Sequence, residues 1–366
     1  MRTEYDAFAV AAPGLAPIVE GELRGLGITP REVGPAGVEF AATAEELYTA
    51  NLWLRTATRV VVRIARFRVV TFAELERLAR KVAWKRFVSA GATVDVRVTC
   101  HKSRLYHSDA VGQRILRVIG APAAGPEDAA VQLVVARLDH DVCTISIDSS
   151  GELLHRRGYR LETAKAPLRE TLAAAAIIGS GWDGTTPFMD PLCGSGTIAI
   201  EAALLARGRP PGLSRTFGFM RWPSFERAVW ERVLGRVEVR TGAVPPIVAS
   251  DRDAGATAAT VANAERAGVA GDIAVRTCAI SAIEPPGGPG WLVTNPPYGE
   301  RVGEAPALRD LYARFGQVAR ARCPGWTVGL LVAEQRLARQ TGLRLTPRVR
   351  TTNGGIPIAL VVGRVD

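Results

Sequence analysis

The spacing of apolar positions divides the chain into two halves of different rhythm. In the first, alternating runs are interleaved with amphipathic stretches. Tyr5–Ala11 alternates polar and apolar residues, which predicts a strand. Leu15, Ile18, Val19, Leu23 and Leu26 share one face of a helix over Gly14–Leu26 that Gly27 closes. Thr56–Val70 and Thr93–Thr99 read as strands, and Phe72–Val88 and Asp109–Ile119 as helices. Val131–Leu138 and Val142–Ile147 form a hairpin turning at Asp139-His140-Asp141, and Ala121–Pro126 is a loop.

In the second half, helices alternate with short, continuous apolar runs, the mark of strands buried on both faces. The predicted strands are Pro187–Asp190, Ile247–Ser250, Ile273–Val275, Trp291–Thr294 and Trp326–Ala333. Leu168–Ile178, Thr197–Arg207, Ala254–Ala267 and Ala307–Arg320 are the helices. Leu343–Thr352 and Ile356–Val362, joined by Asn353-Gly354-Gly355, predict a closing hairpin with an Asn-Gly turn. The expected fold is therefore α/β, with a mostly parallel sheet that ends in an antiparallel pair. Gly151–Pro167 reads as a connector, with the basic cluster His155-Arg156-Arg157-Gly158-Tyr159-Arg160, and the domain boundary is placed near residue 160.

Composition narrows the class. The chain has 366 residues, enough for two or three domains, and no run of about 18 apolar residues that would cross a membrane. The polar start, Met1-Arg2-Thr3-Glu4-Tyr5-Asp6, predicts no signal peptide. Five scattered cysteines without a C-x-x-C pair predict a reducing cytoplasm, with neither disulfide nor structural zinc. The histidines are too dispersed to suggest a metal. The net charge of +10 has two readings that charge alone leaves open: an arginine-rich composition, or a polyanionic partner such as nucleic acid.

Two motifs carry chemistry. Asp190-Pro-Leu-Cys-Gly-Ser-Gly-Thr197 places Gly194-x-Gly196-x-x-Ala199 between a strand and a helix, where glycines let the backbone approach a ligand. Asp251 ends the next strand, where a carboxylate can accept from both hydroxyls of a ribose. The stretch from the loop to this acid is far longer than a nicotinamide fingerprint needs, because an insertion spans roughly residues 207–240; a nicotinamide cofactor fits less well.

The second motif is Asn295-Pro296-Pro297-Tyr298, at the carboxyl end of the fourth strand of this half, where open α/β sheets bind ligands. Neither proline has an N–H, so the corner offers acceptors with little donor competition, and the Asn295 amide oxygen adds one more. Acceptors near one point suit an exocyclic amino group, and Tyr298 offers a face for a base to stack on. Holding the amine hydrogens favours the pyramidal geometry in which its lone pair can attack.

These residues resemble the THUMP-domain, S-adenosylmethionine-dependent RNA guanine-N2 methyltransferases. Asp190–Thr197, Asn295–Arg301, His101-Lys102-Ser103-Arg104-Leu105-Tyr106-His107, Asp148–Gly151, Arg157–Arg160, Ala166–Glu170 and Asn353-Gly354 carry the likeness, which covers nearly the whole chain. It implies a ferredoxin-like α/β unit over 1–55, a THUMP RNA-binding domain over 56–160 and a Rossmann-like methyltransferase domain over 161–366. That domain's sheet would have seven strands. The resemblance implies S-adenosylmethionine as cofactor, held by Glu170, Asp190, Cys193, Gly194, Ser195, Gly196, Thr197, Asp251 and Asn295. Asn295, Pro296, Pro297 and Tyr298 would form the catalytic corner. His101, Lys102, Arg104, Tyr106, Arg156, Arg157 and Arg160 would face RNA. The implied partner is structured RNA, large-subunit ribosomal RNA before transfer RNA, in the cytoplasm, with no membrane and no metal. A non-catalytic RNA-binding or assembly factor keeping the fold is the alternative. Arg276–Ser281 lacks the acid that commonly reaches the cofactor's adenine. The insertion around Phe217-Gly-Phe-Met-Arg-Trp222 has two open readings, nucleotide stacking or a small satellite core.

Overall fold

A computed structural model describes residues 4–125, 128, 131–161, 168–298 and 305–366. Gly299-Glu300-Arg301 and Ala166-Pro167, which contribute to the resemblance, lie outside the described residues, as does Pro126 of the expected loop. Among the described residues no helix is long and apolar enough to cross a membrane.

The N-terminal half comprises β1 (Tyr5–Ala11), α1 (Ala16–Gly25), β2 (Pro30–Gly34), β3 (Gly37–Ala42), α2 (Ala44–Trp53), β4 (Ala57–Arg68), α3 (Phe72–Ala79), β5 (Val94–His101), α4 (Ser108–Ile119), β6 (Gln132–Asp139) and β7 (Val142–Asp148). All seven strands form one sheet, in the order β2-β3-β1-β4-β7-β6-β5. β4 pairs with β1 on one side and β7 on the other, so the stretches expected as two units on either side of residue 55 share a continuous sheet.

β2, β3 and α2 have no counterpart among the predicted elements. β2 is an edge strand with three consecutive exposed residues, so its pattern gives no alternation. The start of α2 was legible: Thr43 Oγ1 accepts from the Glu46 amide while Glu46 accepts from the Thr43 amide, a capping box. α3 ends at Ala79, short of the expected Val88. The Trp84 indole N–H donates to the Ala79 carbonyl at 2.9 Å, taking up an acceptor at the helix end.

The C-terminal half adds α5 (Glu170–Ser180), β8 (Phe188–Asp190), α6 (Thr197–Ala206), α7 (Arg227–Gly235), β9 (Ile247–Asp251), α8 (Ala254–Ala267), β10 (Ile273–Thr277), β11 (Trp291–Thr294), α9 (Ala305–Arg322), β12 (Thr327–Val332), α10 (Gln335–Gln340), β13 (Thr346–Asn353) and β14 (Ile356–Arg364). The second seven-stranded sheet runs β10-β9-β8-β11-β12-β14-β13. It is parallel except for β14, which is antiparallel to both β12 and β13. This is the Rossmann-like architecture expected. α5 and α6 are apolar and buried almost all round, which suits helices enclosed between the sheet and the rest of the molecule.

The insertion is core. Phe217, Phe219 and Trp222 are buried, and Phe219 stacks on Tyr48 of α2 with ring centroids 4.2 Å apart. Trp230 of α7 meets Phe217 edge-on at 5.8 Å. Burying each such ring is worth about 1.5–3 kcal/mol. The insertion also ties the two halves together. The Gly212 amide donates to the Leu52 carbonyl, the Phe219 amide to the Ser149 carbonyl, and the Trp222 indole to Gln132 Oε1. These rings are therefore core and not a stacking surface, but they join the main hydrophobic core and not a small satellite.

A candidate active site at the sheet switch point

β8 and β11 are neighbours in the sheet although β9 and β10 lie between them in sequence. Their carboxyl ends flank the crevice where an open α/β sheet takes its ligand. Asp190 closes β8, and Asn295 follows β11. The Thr294 hydroxyl donates to Asp190 Oδ1 at 2.6 Å and holds the two strand ends together. Asp190 is 1% exposed, and burial pushes its carboxyl up to about 7 against the hydrogen bonds from Thr294 and Leu192.

The loop after β8 is fixed on all sides. The Cys193 amide donates to the Ser250 carbonyl, and the Gly194 amide to Asp251 Oδ2 at 3.0 Å. Thr260 of α8 donates to the Gly194 carbonyl at 2.9 Å, and Asn263 to the Ser195 carbonyl at 3.0 Å. Gly196 has φ +84°, and a Cβ there would lie 2.6 Å from Thr260 Cγ2, so only glycine fits. Thr197 opens α6, whose N-cap, Gly196, supplies no side-chain cap. The exposed N-terminal amides of such a helix favour negative charge. Asp251 Oδ1 accepts from the Asp253 amide at 3.0 Å, and this carboxylate closes the loop from the neighbouring strand. A glycine cradle beside a carboxylate fits the amino-acid and ribose ends of a nucleoside cofactor.

Across the crevice, Asn295 Oδ1 is buried and has no hydrogen-bond partner among the described residues. A buried acceptor left unmade costs about 1–3 kcal/mol. Its backbone neighbours Pro296 and Pro297 donate nothing. Tyr298 is half-buried, and its hydroxyl accepts from Asn353 Nδ2 at 2.9 Å. Burial raises the Tyr298 phenol, outweighing the Asn353 bond, which lowers it. The closing turn is centred on Gly354 and Gly355, both with positive φ, and not on Asn353 as expected. Asn353 is the last residue of β13, which frees its side chain for Tyr298.

The remaining expected residues divide by where they sit. Glu170 begins α5, is buried, and meets Arg160 Nε at 3.3 Å through Oε1. Its Oε2 has no partner among the described residues, and burial pushes the carboxyl up to about 7. Arg157 is a correction: it is buried, and its guanidinium donates to the Leu154 and Arg55 carbonyls and to Glu201 at 3.5 Å. It joins the halves internally and cannot reach RNA. Arg160 is likewise turned inward, onto Glu170 and the Leu168 carbonyl. Arg156 is exposed and pairs with Glu152. His101, Lys102, Arg104 and Tyr106 are exposed at and beyond the end of β5. Thr260, Asn263, Thr294 and Asn353 are site residues that the sequence reading did not include.

Three family profiles match in tandem: a "RlmL ferredoxin-like domain" over residues 6–61, a "THUMP domain" over 69–148 and a "RMKL-like, methyltransferase domain" over 157–361. A ribosomal RNA large subunit methyltransferase K/L from Methylococcus capsulatus is 36% identical over 97% of this chain and 50% of its own length. A second K/L protein, from Syntrophotalea carbinolica, is 35% identical over 97% of this chain and 53% of its length. The chain thus spans about half the length of these relatives. A putative RNA methyltransferase from Synechocystis sp. is 34% identical, with 97% of this chain and 95% of that one covered. Among solved structures, a putative methyltransferase complexed with SAH has a TM-score of 0.88 at 27% identity, covering 99% and 98% of the two chains. One from Listeria monocytogenes, described as a predicted N6-adenine-specific DNA methylase, has a TM-score of 0.86 at 30% identity, covering 98% and 96%.

Proposed function

This chain belongs to the RMKL-like methyltransferases, carrying a ferredoxin-like unit and a THUMP domain ahead of the catalytic domain, and on that premise we propose that it methylates the exocyclic N2 amine of a guanine in structured RNA, most of all large-subunit ribosomal RNA. The cofactor is S-adenosylmethionine, in keeping with the SAH complex of a related structure. The reading rests above all on Asn295, whose amide oxygen is buried and has no partner among the described residues, beside two prolines at the switch point. That is an acceptor waiting for a donor, and the donor it suits is an amino group.

Bound in the glycine loop, the cofactor supplies a methyl group on a positively charged sulfur, an electrophile that asks for no strong base. The chain's own residues then do three things. Gly194 to Thr197 take the amino-acid end and Asp251 the ribose hydroxyls. Asn295 and its donor-free corner hold the amine hydrogens and favour the geometry in which the nitrogen lone pair is free to attack. Tyr298, steadied by Asn353, gives the base a face to stack on. A base in a helix cannot enter such a crevice, so the target nucleotide is flipped out or taken from a loop.

His101, Lys102, Arg104 and Tyr106 are proposed as contacts to RNA backbone and ribose. Transfer RNA is the second candidate substrate. A non-catalytic factor is the rival class, and the missing acid within Arg276–Ser281 favours it; there Arg276 pairs with Glu284 at 2.6 Å. Incubation of the chain with methyl-labelled S-adenosylmethionine and either ribosomal or transfer RNA separates these readings. Label in ribosomal RNA is expected; label only in transfer RNA moves the substrate, and no label in either supports the non-catalytic reading.

A further inference from the structure

Parallel pairing of β5 with β6 sets His101 beside Asp139 in register. The β6–β7 hairpin then turns on His140 and Asp141, at φ +50° and +64°. Two positive φ values mark a tight hairpin turn, a conformation that favours Gly and, among the other residues, Asn, Asp and His. The outcome is a compact cluster. His101 Nδ1 lies 2.9 Å and His140 Nδ1 2.8 Å from the same atom, Asp139 Oδ1. One potential ligand atom from each of the three side chains lies within 4.8 Å of the others.

The frame around the cluster is tied down. The His140 amide donates to the His101 carbonyl at 3.1 Å. Ser103 Oγ donates to that same carbonyl and accepts from the Asp141 amide, and Asp141 Oδ1 accepts from the Arg104 amide at 2.8 Å. Arg137 approaches the other oxygen, Oδ2, at 3.4 Å and leaves Oδ1 to the imidazoles. The three side chains are 60%, 65% and 38% exposed for His101, His140 and Asp139, so the cluster opens to solvent.

We propose that His101, Asp139 and His140 bind a borderline divalent transition-metal ion of the zinc class, with a remaining coordination position open to solvent. Two imidazole nitrogens and one carboxylate oxygen are a ligand set for such ions, whereas magnesium and calcium ask for oxygen alone. Bonds of about 2.0–2.2 Å in tetrahedral geometry separate ligand atoms by roughly 3.3 Å. The observed 2.8 and 2.9 Å contacts to Asp139 would open by about half an ångström, and the two imidazole nitrogens, which lie within 4.8 Å, would adjust to the same spacing by side-chain rotation. Binding requires each imidazole to present Nδ1 as a lone pair, the tautomer with its proton on Nε2.

The test is titration of the metal-stripped full chain with Co2+, whose absorption separates imidazole and carboxylate ligands from cysteine thiolates, followed by competition with Zn2+. Wild type is expected to bind one equivalent without a thiolate band. His101→Ala and His140→Gly should each weaken binding at least tenfold, about the lower bound for disturbing a metal's surroundings. His140→Gly removes the ligand while keeping a residue at ease with positive φ, so the turn still folds. No uptake by wild type, a thiolate band, or equal affinity in both variants overturns the proposal.

Discussion

The side-chain amide of Asn353 donates to the hydroxyl of Tyr298 at 2.9 Å, so the tip of the closing hairpin fixes the ring of the Asn-Pro-Pro-Tyr corner. Asn353→Ala removes that bond and lets the ring move. The expected result is a fall in kcat of about tenfold, as imperfect alignment of reacting groups produces, with cofactor affinity unchanged in calorimetry. An unaltered kcat would mean that Tyr298 is held by packing alone.

Asp251→Ala takes away the acceptor proposed for the ribose hydroxyls and the anchor of the Gly194 amide. Cofactor affinity should drop by roughly 1.5–3 kcal/mol, the value of hydrogen bonds to a charged group. RNA affinity should stay where it was. Calorimetry with S-adenosylmethionine checks the first half and an RNA titration the second, and an unchanged cofactor Kd removes Asp251 from the site.

Asp190 predicts a pH effect. Its folded carboxyl is raised to about 7 from an ordinary value of 3.8. A raised folded pKa favours the protonated group in the folded state. The associated stability is thus complete at low pH and is lost as pH rises through about 7. Asp190→Asn mimics the neutral form at every pH. Urea unfolding should therefore show the variant gaining on wild type between pH 4 and 8, by at most about 4 kcal/mol. A difference in stability that does not change with pH would contradict this.

Lys102 and Arg104 follow β5, on the face proposed for RNA. Replacing both with Ala should lower RNA affinity and flatten the plot of log K against log salt by up to about 1.4, if each neutralises one phosphate. Cofactor binding should persist. An identical slope would place both side chains in solvent.

The central strands β8, β9, β11 and β12 of the catalytic sheet are legible because strands buried on both faces are unbroken apolar runs, and the glycine loop and the Asn295 corner stand directly at their ends. What joins them was not. The Thr294–Asp190 bond depends on β8 lying next to β11, and strand order leaves no trace in periodicity. The same holds for Tyr298 with Asn353, and for His101 with His140, which looked dispersed until β5 paired with β6. Arg157 was misread for a related reason. Its cluster is basic in sequence, but the Glu201 carboxylate and the Arg55 carbonyl that draw it inside come from distant segments.

The central claim is that Asn295 grips the N2 amine of guanine for methyl transfer. It is tested most directly by nucleoside mass spectrometry of RNA incubated with S-adenosylmethionine and either wild type or Asn295→Ala. The account predicts N2-methylguanosine from wild type. It also predicts formation slowed by about 10²–10³ in the variant, as when one preorganised transition-state contact is lost. N6-methyladenosine as the product would contradict the guanine assignment, and a near-wild-type rate for Asn295→Ala would contradict the grip itself.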